Sequence, residues 1–496
     1  MKKKILLIQP PFYRLFKSTY SLDRYPLSLG YIGGTIKRDT SWDVTAWNTD
    51  FSKKSERVHL SYFGGIGHKH YLESLTDATV EIWSDIQTYL EKHRPSVVGI
   101  TSKSQNFRSV TMIAKIAKEV DRRTIIIVGG PHPSIVGKDT LNCPDIDIAV
   151  KGEGERTIIE LLDAFDNDRD IGAIKGIVYR KDGQAVENHP RELIEDIDSL
   201  CFPHEYAPEI LKDFRDYPLG CFQNIFAVRG CPHNCSFCGS RWIWTRKPRF
   251  RSPGNVVRQV QSLMKMGLRR VVFEDDTFGV TSQYIRSLCT ALGEHCPGIN
   301  WRCEIHVNLV NNENISLMKK AGCNEIFLGV ESGNNQILKA MKKGITIEQA
   351  ISAADIIRSH HIQFSTFIMA GYVGETKETL NDTLNALKRM RPDFIIFSIF
   401  MPYLNTEVYE LCRGKGLIDK NYDVSLHNHQ SLVNNFSDIT PKETYSILIR
   451  NMAKNIDRYN YLNWIKLTFS WNSLRKVKEV GIVNALKKAW NIIRGK

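Results

Sequence analysis

The sequence predicts an α/β protein in three parts. A doubly wound, Rossmann-like parallel sheet comes first, then a partial barrel of six βα units, then a helical C-terminal region. Three observations carry this. Short apolar runs alternate with helical periodicity twice, over residues 1–168 and again over 221–415. Residues 169–220 between them hold a hairpin signal and a proline-broken stretch, so they read as a connector. From 416 to 496 the strand-like runs cease and an aromatic-rich helical pattern takes over.

In the first part, ILLIQ (5–9), SVVGIT (96–101), TIIIVGG (124–130) and IDIAVKG (146–152) are apolar on both faces, as strands covered on two sides must be. FRSVTMIAKIAKEVDRR and ERTIIELLDAF repeat apolar residues at helical spacing. Alternating strand and helix implies a parallel sheet, whose ligands bind beyond the carboxyl ends of the strands. Each of those ends carries small or turn residues: Pro10 and Pro11; Ser102, Lys103 and Ser104; Gly129, Gly130 and His132; Gly152 and Glu153. Glycine lets backbone come close to a ligand. One such loop is common for structural reasons alone; four in register point to a ligand site.

In the connector, GIVYRKDGQAVEN sets Asp182-Gly183 between two short strands, and SLCFPHEYAP reads as an extended crossing. In the third stretch the expected strands are 224–230, 269–275, 299–305, 325–331, 364–371 and 393–400. Six βα units are too few to close an eight-stranded barrel, so an open one is expected.

Composition narrows the function classes. The chain has 496 residues, 42% of them hydrophobic, enough for more than one core. The opening MKKKILLIQPP has too short an apolar run for a signal peptide, and FIIFSIFMPYL is too short to span a bilayer, so a cytoplasmic protein is expected. Eleven cysteines, an odd number, favour ligands and buried thiols over disulfides. The formal charge of +13 shows no basic stripe with interleaved aromatics, so no nucleic-acid partner is expected. Seven basic residues against one acid fall between Arg475 and Lys496. There Val483, Leu486, Trp490 and Ile493 share a face opposite Lys487 and Lys488. Such an end can lie on an anionic membrane surface, or pack on its own protein.

The chemistry concentrates in RGCPHNCSFCGSR (229–241), where Cys231, Cys235 and Cys238 are spaced C-x₃-C-x₂-C. Structural zinc wants four ligands, and no second pair is present. A redox C-x-x-C would leave Cys231 idle. Three thiolates on a [4Fe–4S] cluster leave a fourth iron open to an exogenous ligand. The loop follows the first barrel strand, where catalytic loops belong.

CPHNCSFC, with Phe237 as its aromatic, resembles the motif of radical S-adenosylmethionine (SAM) enzymes. The first part resembles the cobalamin-binding domain found ahead of the barrel in one large subgroup of them. The resemblance spans roughly residues 1–415. It implies a [4Fe–4S] cluster on the three cysteines, SAM bound to the open iron through its amino and carboxylate groups, and cobalamin at the four loops. It puts the backbone of Phe237 at the adenine and carboxylates from FEDDTF, namely Glu274, Asp275 and Asp276, near the SAM amino group. It puts Glu331, with Ser332, at the ribose and Gly371 beside the adenine. The plain alternatives are helix N-caps at Asp276 and Thr277 and helix capping by Glu375 and Thr376.

Two departures stand out. The third barrel strand reads WRCEIHVN, so His306 and Asn308 occupy positions where an arginine and an aspartate are common in relatives. His306 could meet the SAM carboxylate or face the substrate. The first part lacks D-x-H-x-x-G, whose histidine ligates cobalt, so base-off cobalamin is implied and His132 is taken as a loop residue near the nucleotide tail.

The implied function is methyl transfer to an unactivated carbon or a phosphinate phosphorus of a small-molecule, lipid or natural-product substrate, through a 5′-deoxyadenosyl radical and methylcobalamin. An electron donor such as flavodoxin or ferredoxin is implied as partner. A radical cyclase or rearrangement enzyme, a methylthiotransferase and a non-enzymatic cobalamin sensor stay open as alternatives.

Overall fold

A computed structural model describes residues 3–56, 66–419, 422–426, 429 and 432–468. The basic amphipathic end, 475–496, lies outside the described residues.

The first sheet has seven strands: β1 (Lys4–Gln9), β2 (Asp43–Asn48), β3 (Val97–Thr101), β4 (Ile125–Gly129), β5 (Ile148–Val150), β6 (Ile177–Lys181) and β7 (Gln184–Glu187). Their order is β2-β1-β3-β4-β5-β6-β7. The first five are parallel, and β6 and β7 run antiparallel to close one edge. Asp182 and Gly183 both take positive φ in the hairpin between β6 and β7, as a type I′ turn requires. The hairpin therefore extends the first sheet. The segment expected as an extended crossing contains a helix, Pro203–Ile210, with proline at its first turn, where the missing N–H costs nothing.

The second sheet has six parallel strands in the order β15-β14-β13-β12-β11-β8. They are β8 (Asn224–Ile225), β11 (Arg270–Phe273), β12 (Asn300–Ile305), β13 (Cys323–Glu331), β14 (Gln363–Ala370) and β15 (Phe394–Ile399). The first barrel strand is shorter than expected because Val228–Arg229 (β9) turns off to pair antiparallel with Arg249–Phe250 (β10). That pairing closes the base of the cysteine loop. The edge at β15 is covered by the C-terminal helix Lys442–Thr468: the Asn460 side chain accepts from Ile395 N–H and donates to Ile395 C=O, both at 2.8 Å. Among the described residues no helix is long and apolar enough to cross a membrane.

Candidate functional site

The carboxyl ends of the two sheets face each other. Asn405 donates to Ile135 O at 2.6 Å, and a β-carbon on Gly239 would lie 3.2 Å from the Ile135 side chain. The cysteine loop of the barrel thus touches the Pro131–Val136 helix of the first domain. Lys103, Cys238, Asp276 and Glu304 are all exposed, yet desolvation is the leading influence on each of their pKa values. These side chains lie along the junction of the two domains, open to solvent yet crowded by protein.

Ser236 fixes the cysteine loop. Its N–H donates to Met341 O at 2.9 Å, its carbonyl accepts from Val408 N–H at 3.2 Å, and its hydroxyl lies 2.7 Å from the Tyr372 hydroxyl. Cys231 and Cys235 are half-buried and Cys238 is exposed, whereas every other cysteine except Cys143 is buried. Burial pushes the Cys231 thiol up to about 11, and Cys235 and Cys238 are raised for the same first reason. Thiolates here need nearby positive charge. Lys343 supplies some. Desolvation pulls its ammonium pKa down, but Glu331 and the Cys235 and Cys238 thiols outweigh that and leave it raised. Among the described residues no three His, Cys, Asp or Glu side chains converge as they would on a single metal ion. The donor set itself, three thiols on one loop, is what a four-iron cluster with one open iron takes.

The carboxylates divide. Asp276 is exposed and accepts from Ser240 Oγ at 2.6 Å. Glu274 meets both Arg24 nitrogens at 3.2 Å, tying the β11 end to the first domain. Asp275 is corrected: it is 2% exposed, its Oδ1 accepts from the Ala227 and Val228 amides, and its Oδ2 is sealed off without a partner. It holds the start of the barrel and does not reach the junction. Neither Asp276 nor Thr277 caps a helix; Thr281 caps the next one.

Glu331 has φ +72°, unusual for a residue other than glycine, where β13 shifts register against β14. Such strain costs roughly 1–3 kcal/mol and gathers at functional sites. Lys343 Nζ holds its carboxylate at 3.0 Å. Ser332 is fully buried, its hydroxyl accepting from Asn334 N–H at 3.3 Å and lying 3.5 Å from Thr383 Oγ1. At Gly371 the space a β-carbon would fill is taken by the Tyr445 hydroxyl, and the backbone N–H donates to Glu375. Glu375 thus braces the loop, and Thr376 caps the helix that follows. Phe237 packs with Tyr372, Val373 and Phe400, and Lys343 stands 5.9 Å from its ring centre.

His306 does not face the junction as a free side chain. It is 8% exposed, Nε2 lies 3.3 Å from Lys343 O, and Nδ1 accepts from Asn308 N–H. Its ring stacks on His233 of the cysteine loop at 3.7 Å, so it props that loop from below. Lys343 and Glu304 are the site residues sequence reasoning missed. Lys343 sits in a plain MKKG stretch, and only the fold brings it under the cysteines.

In the first domain, Pro10 and Pro11 are buried at the end of β1. Asp50 accepts from Phe12 and Arg14 N–H to set the loop that follows them. Ser102 and Ser104 are buried, and Ser134 Oγ joins the β4 and β5 loops by donating to Gly130 O and accepting from Gly152 N–H. Gly130 has φ +104°, and a β-carbon there would strike Ser102 O at 2.9 Å; Gly152 has φ +73° and open space above it, with Gly129 almost as open. These loops form a shallow cradle that fits a flat cofactor with a long tail. His132 is buried, stacked on Phe107 at 4.0 Å with Nδ1 3.2 Å from Ser104 Oγ. Burial pushes its pKa down to about 4. Glu153 is corrected: it does not face the cradle. Arg229, Arg249 and the Ile194 amide take its carboxylate, and they link it to the barrel.

Residues 225–387 match the family model of the radical SAM superfamily, and residues 62–162 match the B12 binding domain. An uncharacterized methyltransferase of Pyrococcus horikoshii is 28% identical over 418 residues, covering 84% of each chain. An anaerobic magnesium-protoporphyrin IX monomethyl ester cyclase of Synechocystis sp. is 26% identical over 439 residues, 86% of this chain and 81% of that one. The solved radical SAM methyltransferase TsrM of Kitasatospora setae, bound to tryptophan and a SAM analogue, aligns with a TM-score of 0.66 at 17% identity. The alignment covers 84% of this chain and 77% of that one and shows a shared fold.

Proposed function

The chain belongs to the radical SAM superfamily and carries a B12-binding domain ahead of its barrel, and on that premise we propose that it is a cobalamin-dependent methyltransferase. Its target is an unactivated carbon, or a phosphinate phosphorus, of a small-molecule or lipid substrate. The observation that carries this reading is the contact between the two sites: the cysteine loop and the segment after the last barrel strand meet the cobalamin-side loop at Ile135, Gly239 and Asn405. When bound, the cluster with SAM supplies a hydrogen-abstracting radical, and cobalamin supplies a methyl group without a cationic carrier.

In this reading Cys231, Cys235 and Cys238 hold the cluster, with Lys343 offsetting their charge. Asp276 and Glu304 face the SAM ammonium, and Glu331 takes its ribose. The Phe237 backbone borders the adenine. Ser102, Ser104, Gly130 and Gly152 receive the cobalamin tail, with His132 beside it and off the metal. A flavodoxin or ferredoxin serves as reductant, and the basic end of the chain rests on anionic membrane. The cyclase reading is second, favoured by the similarity to the Synechocystis cyclase.

The test replaces Cys231, Cys235 and Cys238 together by Ala. Anaerobic reconstitution should give about four irons per wild-type chain and close to none in the variant, with 5′-deoxyadenosine formation abolished. A variant that still forms 5′-deoxyadenosine would sink the reading.

A further inference from the structure

Between Tyr217 and Phe273 the chain holds ten arginines and lysines and no acid. Three of the ten turn inward. Arg229 and Arg249 meet Glu153, and Arg251 takes Asn255 and Gln259. Three others, Arg241, Arg246 and Lys247, follow the last cysteine closely, and their side chains make no ion pair or hydrogen bond among the described residues. Arg241 instead lies 5.2 Å from the ring centre of Trp242. That indole is 42% exposed.

This turn is bonded directly to the cysteine loop. The backbone N–H of Trp242 donates to Gly239 O at 3.1 Å, and Ser240 N–H donates to Cys238 Sγ at 3.5 Å. Thr245 has φ +59°, costly for a β-branched residue. The chain reverses there. Trp244 packs inward, where a β-carbon on Gly230 would lie 3.3 Å from it, while Arg246 and Lys247 face water. The first domain takes another flank of the loop, at Ile135. A lone exposed indole is ordinary. One set among three unpaired cations, a single hydrogen bond from the residue after Cys238, is a surface with a charge and an anchor.

We propose that this turn is the docking surface for a small acidic one-electron carrier protein, with Trp242 at its centre and Arg241, Arg246 and Lys247 around it. The inference rests on the reading of Cys231, Cys235 and Cys238 as cluster ligands, and it adds the place where the reductant arrives. The carrier loses one electron and the [4Fe–4S] cluster gains it, passing from the 2+ to the 1+ state; no bond breaks and no proton moves. Electron tunnelling falls off steeply with distance, so the carrier must meet the surface where a cluster ligand comes nearest to it, and Cys238 is the exposed one of the three. Contacts of this kind are small and transient and depend on opposite charge for fast encounter. A second copy of this chain would bring like charge to like charge across a two-fold axis. One exposed indole does not give a nucleic acid the row of stacking platforms it uses.

The test uses holoenzyme loaded with cluster and cobalamin and two probes, a plant-type [2Fe–2S] ferredoxin and a flavodoxin, with binding followed calorimetrically at low and high salt. Wild type should bind at least one of them, more weakly as salt rises. Replacing Arg241, Arg246 and Lys247 together by Glu should weaken that binding by about tenfold or more, and Trp242→Ala by about fivefold or more. The extent of cluster reduction by dithionite, which needs no docking surface, should be equal in all three proteins by paramagnetic resonance. Equal binding to wild type and the triple variant, or no binding of either probe to wild type, overturns the proposal. So does tighter binding of a single-stranded DNA oligonucleotide that the triple variant loses, which would give the turn to nucleic acid. A wild type that takes up iron but shows no cluster signal overturns the cluster reading and this proposal together. An intact cluster with unchanged carrier binding overturns the docking surface alone.

Discussion

Arg229 donates to Glu153 at 2.6 Å across the two domains, with the side chains 6% and 2% exposed. The same guanidinium reaches Glu155 at 2.6 Å and lies between the rings of Tyr31 and Trp244. Arg249 adds a second bond to Glu153 at 2.7 Å. Arg229 stands two residues before Cys231, so this cluster references the cysteine loop to the first domain.

Removing one partner of a buried pair leaves the other charge uncompensated, at a cost of about 3–5 kcal/mol. Arg229→Met should therefore lower the urea midpoint sharply, and Glu153→Gln should do so less. Burial raises the Glu153 carboxyl, but Arg249 and Arg229 win and hold it below its ordinary 4.5. A depressed folded pKa stabilises above the ordinary value, and that stability is lost as pH falls through the folded pKa. Wild type should lose stability on acidification below about pH 4, and Glu153→Gln should lack that component. Identical acid profiles for the two proteins would remove the pair from this role.

Much of this was legible in the sequence because buried parallel strands are continuous apolar runs. The four strands expected in the first domain and the six in the barrel lie where those runs fall. The edge strand β2, DVTAWN, escaped because its polar residues break the run. The helix Leu27–Asp39 escaped because its glycines lower helix propensity; they are there so that the Pro203–Ile210 helix can come close, a β-carbon on Gly33 meeting Ile210 at 2.7 Å. The cysteines were legible from spacing alone. Glu153 was not, because a glycine-flanked acid at a strand end looks the same whether it serves a ligand or an arginine far along the chain. Asp275 and His306 misled for the same reason: pattern gives position, and only packing gives direction.

Glu304 should set a pH dependence. Burial first, then Glu274, Glu331 and Asp276, push its carboxyl up to about 7, with Arg302 opposing. The ionised form attracts the cationic centres of SAM and the protonated form does not. SAM binding should therefore strengthen as pH rises through about 7. Glu304→Gln should bind SAM with no such step between pH 6 and 8. A step of the same size in the variant would assign the titration elsewhere.

His132 should be dispensable to cobalt. Its ring is buried against Phe107 with Nδ1 at Ser104 Oγ. Paramagnetic resonance of the Co(II) holoenzyme should show no nitrogen hyperfine splitting, and His132→Ala should leave the spectrum unchanged. Nitrogen coupling that vanishes in the variant would make His132 a ligand.

The basic end, seven positive residues against one acid from Arg475 onward, should bring the full chain down with anionic vesicles. The association should weaken as salt rises, because screening shortens the reach of the charges. A chain ending near Ser473 should stay in the supernatant at all salt concentrations. Equal sedimentation of both forms would instead favour packing of the amphipathic face on the protein itself.

The stoichiometry of SAM consumption separates methyl transfer from cyclisation. SAM alone methylates nucleophiles, and an unactivated carbon has no lone pair to offer. A hydrogen atom must first be removed, which uses one SAM and yields 5′-deoxyadenosine. The transferred methyl must come from a second SAM, which leaves S-adenosylhomocysteine. Each methylated product should thus be accompanied by one molecule of each, and methyl-deuterated SAM should leave its label in the product. A cyclase holding the same cofactors in the same places needs only the first of these steps. Substrate consumed with 5′-deoxyadenosine, but with neither S-adenosylhomocysteine nor label in the product, would transfer the assignment to ring formation or rearrangement. The Gly130 and Gly152 cradle would then hold cobalamin in a role other than methyl donor.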